Sequence, residues 1–380
     1  MYGYDSFYVH FLIFYLIYGV LITCLYSASN TNINNRISTT RSLTKVLFLA
    51  LPLYLLGILR GDTVGGDLEY YLQYFDDICQ INRLGDIWNV SSHEPGYQIF
   101  TYLISRISHS HRAFFIGTFT LSFIGPVYLI HRYSKMPFFS FILYYALGFY
   151  TNTFNNVRQS IAISICFLSI GFLFNKQFRK FCLTVLIAAM FHYSAVFFLI
   201  LYPLVSRKLK IKNVLCILIC GIVLYFVSSV TIVAFLLNVL AFKYDAEAVM
   251  LASEGSGWGL FLMYFLILTG ELFLFSLLRN NENRKRKLSF FIYMQMLAVL
   301  FQMYAPLFAS MTRLTYYFYI PIIIAIPYIV NSFKSFRPIV VSAAMALAIL
   351  FLGMTYSKSD TTGSNSQGVI PYVFIDKTIY

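Results

Sequence analysis

A short stretch that follows an apolar segment carries several side chains that could do chemistry. The stretch is RGDTVGGDLEYYLQYF, residues 60–75, and it places Arg60, Asp62 and Asp67 within eight residues. Only 11% of the chain is charged, so the cluster is unusual for this sequence. Arginine binds phosphoryl oxygens with a planar fork that stays charged, and a carboxylate can accept a proton. The cluster therefore indicates binding of a diphosphate together with proton transfer.

More side chains of the same kinds occur elsewhere in the chain. Glu94 lies in HEPGY, Arg158 follows the polar run NTFNN, and His192 is flanked by aromatic residues. Tyrosines close to these groups could stack on sugar rings. The candidate bases are Glu94, His192, Asp62 and Asp67, and the candidate substrate-binding residues are Arg60, Arg158, Arg313, Tyr70, Tyr71, Tyr97, Tyr316 and Tyr317.

Each candidate also has a purely structural interpretation. Arg60 could anchor a helix end at the membrane interface, and the aspartates could cap loops. Glu94 precedes Pro and Gly, as a turn residue would, and His192 could be a hydrogen-bonded core histidine. A carboxylate paired with an arginine is a weaker base. Glu94 has no arginine close in sequence, so Glu94 and His192 rank ahead of the aspartates as the base.

The composition of the chain indicates the class of protein that carries these groups. Of the 380 residues 59% are hydrophobic, and the mean hydropathy is +0.71. Soluble domains are about 45–50% apolar. The sequence therefore predicts an all-α, polytopic integral membrane protein with a single domain over residues 1–380. The net charge of +13 is explained by basic cytoplasmic loops, so no nucleic-acid partner is expected.

Apolar segments of suitable length predict about 10–12 transmembrane helices. Residues 181–205 are ambiguous, because they could form one span or a re-entrant segment broken at FHYS. Residues 97–108 are predicted to form an interfacial helix, and residues 357–380 a polar tail from which VIPYVF docks back. The candidate spans lie near 7–27, 45–59, 113–131, 137–154, 159–175, 213–241, 258–278, 288–308, 314–332 and 338–356.

Basic loops predict the orientation of the chain in the membrane. Loops 29–45, 131–136 and 279–288 are expected in the cytoplasm, while the loop 60–112 and residues 243–257 face outward, as do both termini. This arrangement brings the candidate arginines, carboxylates and histidine to the outer face. Ionisable groups at membrane depth are costly and commonly line a functional cavity.

Several common catalytic motifs are absent from the sequence. It contains no GxxxxGK[ST], no HExxH and no GxSxG, which argues against simple NTPase, zinc protease and serine hydrolase functions. GDTVGGD is similar to a phosphate-binding loop only superficially, because it does not open a helix in the required way.

The order of four motifs resembles the EpsG family of Wzy-type polysaccharide polymerases. The motifs are RGDTVGGDLEYYLQYF, EPGYQIFTYLISRI, NNVRQSIAISICFLSIGFLFNK and AAMFHYSAVFFLILYPL. The resemblance covers residues 45–205, and the rest of the chain is matched by the layout of its spans and by RLTYYF. The resemblance matches the family's Arg-Gln pair to Arg158 and Gln159, and adds Gln159 to the substrate-binding candidates. It matches the family's Phe-His pair to Phe191 and His192.

The resemblance implies growth of a surface polysaccharide on the outer face of the bacterial inner membrane. Donor and acceptor would be undecaprenyl-diphosphate-linked oligosaccharides, and a chain-length regulator in the same membrane is an optional partner. The fold would be similar to the all-helical class of lipid-dependent glycosyltransferases. No cofactor and no metal site are predicted, because arginines can neutralise the departing diphosphate, although Asp62 and Asp67 leave room for a metal ion.

Other functions fit the sequence less well. A transporter or flippase of lipid-linked glycans would place functional charges near the midplane and on both faces, whereas here they are predicted on one face. A glycan acyltransferase would need its histidine accessible from the cytoplasm. An assembly scaffold would have little need for arginines at several span ends.

Overall fold

The computed structural model describes residues 7–29, 43–227, 257–277, 282–306 and 310–332, with isolated positions from 338 to 374. The regular elements among these residues are helices, and several are long and apolar enough to span a membrane. The chain is therefore an all-α, multi-pass membrane protein, as predicted. It folds as two compact units: residues 1–196 with 335–380, and residues 197–334. The prediction of a single domain stays a prediction.

Unit 1 carries most of the residues predicted to do chemistry. Its helices are α1 (Phe7–Ser29), α2 (Leu43–Ile58), α3 (Leu68–Cys79), α4 (Pro95–Ile107), α5 (His111–Tyr133), α6 (Pro137–Ala146), α7 (Phe149–Asn155), α8 (Val157–Phe174) and α9 (Phe178–Ala189). Short 3-10 helices cover Leu84–Asn89 and, across the boundary in the chain, Tyr193–Leu201. Unit 2 contains α10 (Ile211–Val227), α11 (Trp258–Ser276), α12 (Glu282–Met303), α13 (Ser310–Tyr319) and α14 (Ile322–Ser332).

Five described segments have the length and hydropathy of membrane spans. They are Phe7–Tyr26, His111–Tyr133, Val157–Phe174, Trp258–Ser276 and Met311–Asn331, with shorter apolar helices over Leu43–Ile58, Pro137–Ala146 and Ile211–Tyr225. Residues 228–256 and most of 338–356 lie outside the described part of the chain. The predicted total of 10–12 spans therefore stays a prediction.

Close backbone packing joins α5 to α8, the helix that carries Arg158. A Cβ atom on Gly125 would overlap the carbonyl oxygen of Ser164, so only glycine fits at this contact. The Gly125 amide donates to the Ser164 hydroxyl at 2.8 Å. Small residues allow membrane helices to approach in this way. The hydroxyl of Ser110 accepts from the amide of Ala113 and caps the start of α5.

The structure corrects one predicted span and clarifies two ambiguous segments. Residues 137–154 are not one helix, because Gly148 has a φ of 75° and separates α6 from α7. Residues 181–205 are broken, as one interpretation predicted: α9 ends at Ala189 and a 3-10 helix begins at Tyr193. Helix α4 has 13 residues, too few to cross a bilayer alone, which agrees with the interfacial helix predicted near 97–108.

The C-terminal end docks onto unit 1, as VIPYVF was predicted to do. The hydroxyl of Tyr8 donates to the carbonyl of Val369 at 2.6 Å. The Tyr372 hydroxyl donates to the carbonyl of Leu56 at 2.5 Å, and its ring stacks on Phe7 with centroids 4.4 Å apart. The polar residues 357–367 lie outside the described residues.

The orientation can be tested by labelling single cysteines. In a variant without the six native cysteines, we expect Glu69→Cys to react with an impermeant maleimide in intact spheroplasts. Lys208→Cys, also at an exposed position, should react only after permeabilisation, because basic loops stay in the cytoplasm. The opposite pattern would place the Arg60 cluster in the cytoplasm.

Candidate active site

A buried ion pair between Glu94 and Arg158 forms the centre of the candidate site. Nη1 of Arg158 lies 2.5 Å from Oε2 of Glu94, and the side chains are 19% and 6% exposed. The two residues are 64 positions apart in sequence, each at the N-terminal end of a helix. Tyr71 hydrogen-bonds to the same guanidinium. Glu94 has no arginine close in sequence, but the fold supplies one from α8.

The EPGY motif fixes the position of Glu94. Pro95 is the first residue of α4, where a missing N–H costs nothing. The amides of Gly96 and Tyr97 donate to the carbonyl of Met190 at 2.8 and 3.3 Å. A Cβ atom on Gly96 would lie 2.8 Å from the Cβ atom of Met190. Glycine at 96 thus allows α4 to begin directly against the break that follows α9.

His192 lies in that break and has a defined hydrogen-bonding state. Its Nδ1 atom is 3.3 Å from the backbone N of Ser194 and 2.9 Å from the Ser194 hydroxyl. A backbone N–H can only donate, so Nδ1 is the acceptor and a neutral ring carries its proton on Nε2. In this tautomer Nε2 donates and does not accept. The predicted role of His192 as a base is not favoured by this geometry.

The polar run before Arg158 connects α8 to the glycine loop, residues 60–67. The side-chain oxygen of Asn155 accepts from the amide of Gly66 at 2.6 Å. The side chain of Asn156 donates to that of Asn152 at 2.7 Å. Gln159, which was predicted from the Arg-Gln pair, is buried. The run therefore positions the residues around Arg158 against the loop that carries the charged cluster.

The amides of the glycine loop are bonded within the protein. Gly61 donates to the carbonyl of Val373 at 2.7 Å, and Gly65 donates to that of Gly368 at 2.8 Å. Gly65 has a φ of 137°, which only glycine adopts readily. These two hydrogen bonds and the bond from Gly66 to Asn155 occupy three amides of the loop. A phosphate-binding loop would instead present such amides to its ligand. As predicted, GDTVGGD is not a conventional phosphate loop in this conformation.

Arg60 is buried and charged, and no carboxylate of the described residues pairs with its guanidinium. It is 1% exposed, and its Cζ atom lies 4.8 Å from the ring centroid of Phe115 and 4.3 Å from that of Phe154. Nε and Nη1 have no hydrogen-bond partner within the same part of the chain. Burial lowers the pKa of Arg60 to about 10, so the group stays protonated at neutral pH.

His111 and Asp76 were missed by the sequence analysis. Nδ1 of His111 lies 2.6 Å from Oδ2 of Asp62, and Nε2 lies 3.0 Å from Oδ1 of Asp76. A neutral imidazole can donate to only one of two carboxylates. The contacts of His111 therefore join the glycine loop, α3 and α5. One carboxylate oxygen of Asp62 is used in these contacts. The spacing of 49 and 35 residues left no local sequence signal.

Asp67 differs from the other candidate bases. It precedes α3, is exposed, and makes no side-chain hydrogen bond to the helix N-terminus. Its neighbour Gly66 is bonded to Asn155, three residues before Arg158. Asp67 is therefore a surface carboxylate. It directly follows Gly66, whose amide is bound to Asn155 at the end of α7, just before α8 begins.

The tyrosines near the ion pair differ in exposure. Tyr70 is 56% exposed and lies edge-on to His93, with ring centroids 5.5 Å apart. Tyr71 and Tyr97 are buried and pack against each other at 6.1 Å. Burial raises the pKa of Tyr97 well above its ordinary value, so this phenol stays protonated and is not a base. Of the three tyrosines predicted to stack on sugars, Tyr70 is the exposed one.

The remaining candidates, Arg313, Tyr316 and Tyr317, belong to unit 2. They lie on α13, where Arg313 is exposed and Tyr317 is buried. Their predicted convergence with the residues of unit 1 stays a prediction. Within the described residues, no three His, Cys, Asp or Glu side chains are grouped as metal ligands. That finding does not test the expectation that no cofactor is needed.

Comparison with known proteins gives one match. Residues 43–374, which include all the residues of the candidate site, match the model of the EpsG family. No curated protein and no solved structure matches the chain.

The contact at Gly96 leads to a stability prediction. We expect Gly96→Ala to lower the free energy of unfolding by about 1–3 kcal/mol, because the new methyl group overlaps Met190. Gly85→Ala is the matched control, because nothing lies within 4 Å of the position that its new methyl group would take. Thermal unfolding in detergent measures both variants. Equal unfolding midpoints for both variants would contradict the close packing of α4 on Met190.

Proposed function

The chain is a member of the EpsG family of Wzy-like polymerases, and we propose that it polymerises lipid-linked oligosaccharides. The substrates are repeat units carried on undecaprenyl diphosphate, both as donor and as acceptor. The reaction takes place on the outer face of the inner membrane, where the growing chain leaves its carrier and joins the next unit. The product is a surface polysaccharide.

The observation that carries this proposal is the buried Glu94–Arg158 pair. Glu94 and Tyr71 both hydrogen-bond to the guanidinium, whereas Nε of Arg158 has no partner among the described residues. The remaining N–H groups suit a diphosphate, which gains negative charge as the glycosidic bond to it breaks. Glu94 holds Arg158 in position, and the group needs no rearrangement when that charge develops.

The proton of the attacking hydroxyl needs an acceptor, and we assign this role to Asp67. The acceptor hydroxyl attacks C1 of the donor sugar, its proton passes to the Asp67 carboxylate, and the electron pair of the C1–O bond leaves with the diphosphate. Glu94 already accepts from Arg158, Asp62 already binds His111, and Nδ1 of His192 already accepts from the amide of Ser194. The proposal therefore places Asp67 ahead of Glu94 and His192, in contrast to the order predicted from the sequence.

Tyr70 supplies a surface for the sugar. Its exposed ring offers an apolar face on which a pyranose ring can stack. The Tyr70 ring lies edge-on to the ring of His93, the buried residue that directly precedes Glu94. A sugar stacked on Tyr70 would therefore lie near the Glu94 end of the ion pair.

The role of Arg158 can be tested in a deletion strain complemented with variants. A strain that lacks the polymerase should display single repeat units in place of a polymer ladder. Arg158→Ala should behave like the deletion, and Arg158→Lys should reduce polymer formation by about 10²-fold or more, because lysine lacks the planar fork. The control is Arg106→Lys, at an exposed arginine that bonds to the carbonyl of Cys79. A normal ladder in Arg158→Ala at normal protein levels would refute the proposal.

A second set of variants identifies the proton acceptor. Asp67→Asn should abolish polymer formation at every pH tested, because the amide that replaces the carboxylate cannot take the proton. His192→Gln should retain part of the activity, because His192 is not the assigned proton acceptor. Asp77→Asn, on the exposed side of α3, is the matched control. Full activity of Asp67→Asn would return the role to Glu94 or Asp62.

A further inference from the structure

The C-terminal strap covers the glycine loop that carries Arg60. We define the strap by its described residues, Gly368, Val369, Tyr372, Val373 and Phe374. Its carbonyls at Val373 and Gly368 accept from the loop amides of Gly61 and Gly65. Phe374 pairs with Arg60 as an isolated antiparallel bridge. Two peptide carbonyls of the strap thus accept hydrogen bonds from amides of the loop. The loop begins at Arg60, whose guanidinium is buried.

The guanidinium beneath the strap is incompletely neutralised. Arg60 contacts the faces of two phenylalanines, and two of its nitrogens have no hydrogen-bond partner among the described residues. Aromatic faces attract a cation only weakly compared with a paired anion. A buried charge without such a partner is costly. The loop therefore combines an incompletely neutralised positive charge with amides that could serve an anion.

We propose that Arg60 and the amides of Gly61 and Gly65 form a binding site for a polyprenyl diphosphate, whose phosphoryl oxygens displace the strap carbonyls. The inference rests on the proposed function, from which the diphosphate substrate follows. Hydrogen bonds from amides and guanidinium to a charged phosphoryl oxygen are stronger than those to a neutral carbonyl. The strap holds the loop in shape until the ligand replaces it. No covalent bond changes in this exchange.

The glycines make the exchange sterically possible. A Cβ atom on Gly61 would lie 3.1 Å from the carbonyl oxygen of Val373, so a side chain there would crowd the acceptor of the Gly61 amide. Gly368 has a φ of 60°, and its Cβ atom would lie 2.6 Å from the amide nitrogen of Gly66. The loop therefore contacts the strap through Gly61 and Gly66, and the strap contacts the loop through Gly368. A phosphoryl oxygen could approach the same amide from the side that the carbonyl now uses.

Hydrogen exchange distinguishes this site from a purely structural strap. The probe is farnesyl diphosphate, added to the full-length protein in detergent, with deuterium uptake read by mass spectrometry. We expect the peptide that contains the strap to exchange faster when the probe is bound, while the peptide over residues 60–67 exchanges no faster. Unchanged or slower exchange of the strap peptide would overturn the inference, and so would failure of the probe to bind.

A strap variant provides an independent measurement. Gly368→Ala introduces a methyl group against Gly66 at a left-handed backbone position, which weakens the closed strap. The Kd for farnesyl diphosphate should fall about tenfold, because the internal competitor is weakened. Adding Arg60→Gln should remove this gain, and Gly85→Ala should leave the Kd unchanged. An unchanged or higher Kd in Gly368→Ala would overturn the inference.

The two proposals fail in different ways. Hydrogen exchange and the binding of farnesyl diphosphate are measured without polymer formation, so neither measurement depends on catalytic turnover. If the strap is displaced but the deletion strain keeps its polymer ladder, the polymerase function fails and the diphosphate site stands. If Arg158 variants lose the ladder while the strap peptide is unaffected by the probe, the inference fails and the polymerase function stands.

Discussion

The buried Glu94–Arg158 ion pair is the interaction on which the arrangement of unit 1 depends. Removing one member of a buried pair leaves an uncompensated charge and costs about 3–5 kcal/mol. Helix α4 must therefore begin where its first turn meets α8, and the contact of Gly96 with Met190 fixes that position. The break after α9 is part of the same contact. One electrostatic requirement thus accounts for the EPGY motif, the start of α8 and the interruption near His192.

Some of this structure could be predicted from the sequence because the signal is local. Composition and apolar length predict a multi-pass helical membrane protein, and one of the two interpretations of residues 181–205 placed a break at FHYS. The docking of VIPYVF was also predicted. Gly148 was overlooked because an apolar run of 18 residues, 137–154, has the length of a span. Its left-handed backbone conformation, which interrupts the helix, leaves no trace in hydropathy.

The pairings of charged groups could not be predicted from the sequence. Glu94 was ranked as a base because no arginine lies near it in the chain, but its partner is 64 residues away. His111 joins two aspartates that are 49 and 35 residues away. A single sequence contains no information about which distant charges meet. The types of residue needed for the chemistry were predictable, whereas the division of roles among them depends on the fold.

Arg60, which is buried, and Arg158, which is partly buried, suit different steps of the proposed reaction. Arg158 is held by a carboxylate and needs no rearrangement, which is the condition for stabilising charge that appears only in the transition state. Arg60 pairs with Phe374 of the strap, and in the proposed exchange a ligand reaches it by displacing peptide carbonyls. Such a site contributes to the binding of a substrate before the reaction and not to the chemical step itself. Polymerisation uses two lipid diphosphates, and only one of them loses its glycosidic bond. The difference in surroundings therefore favours Arg158 for the leaving diphosphate and Arg60 for retention of a carrier lipid.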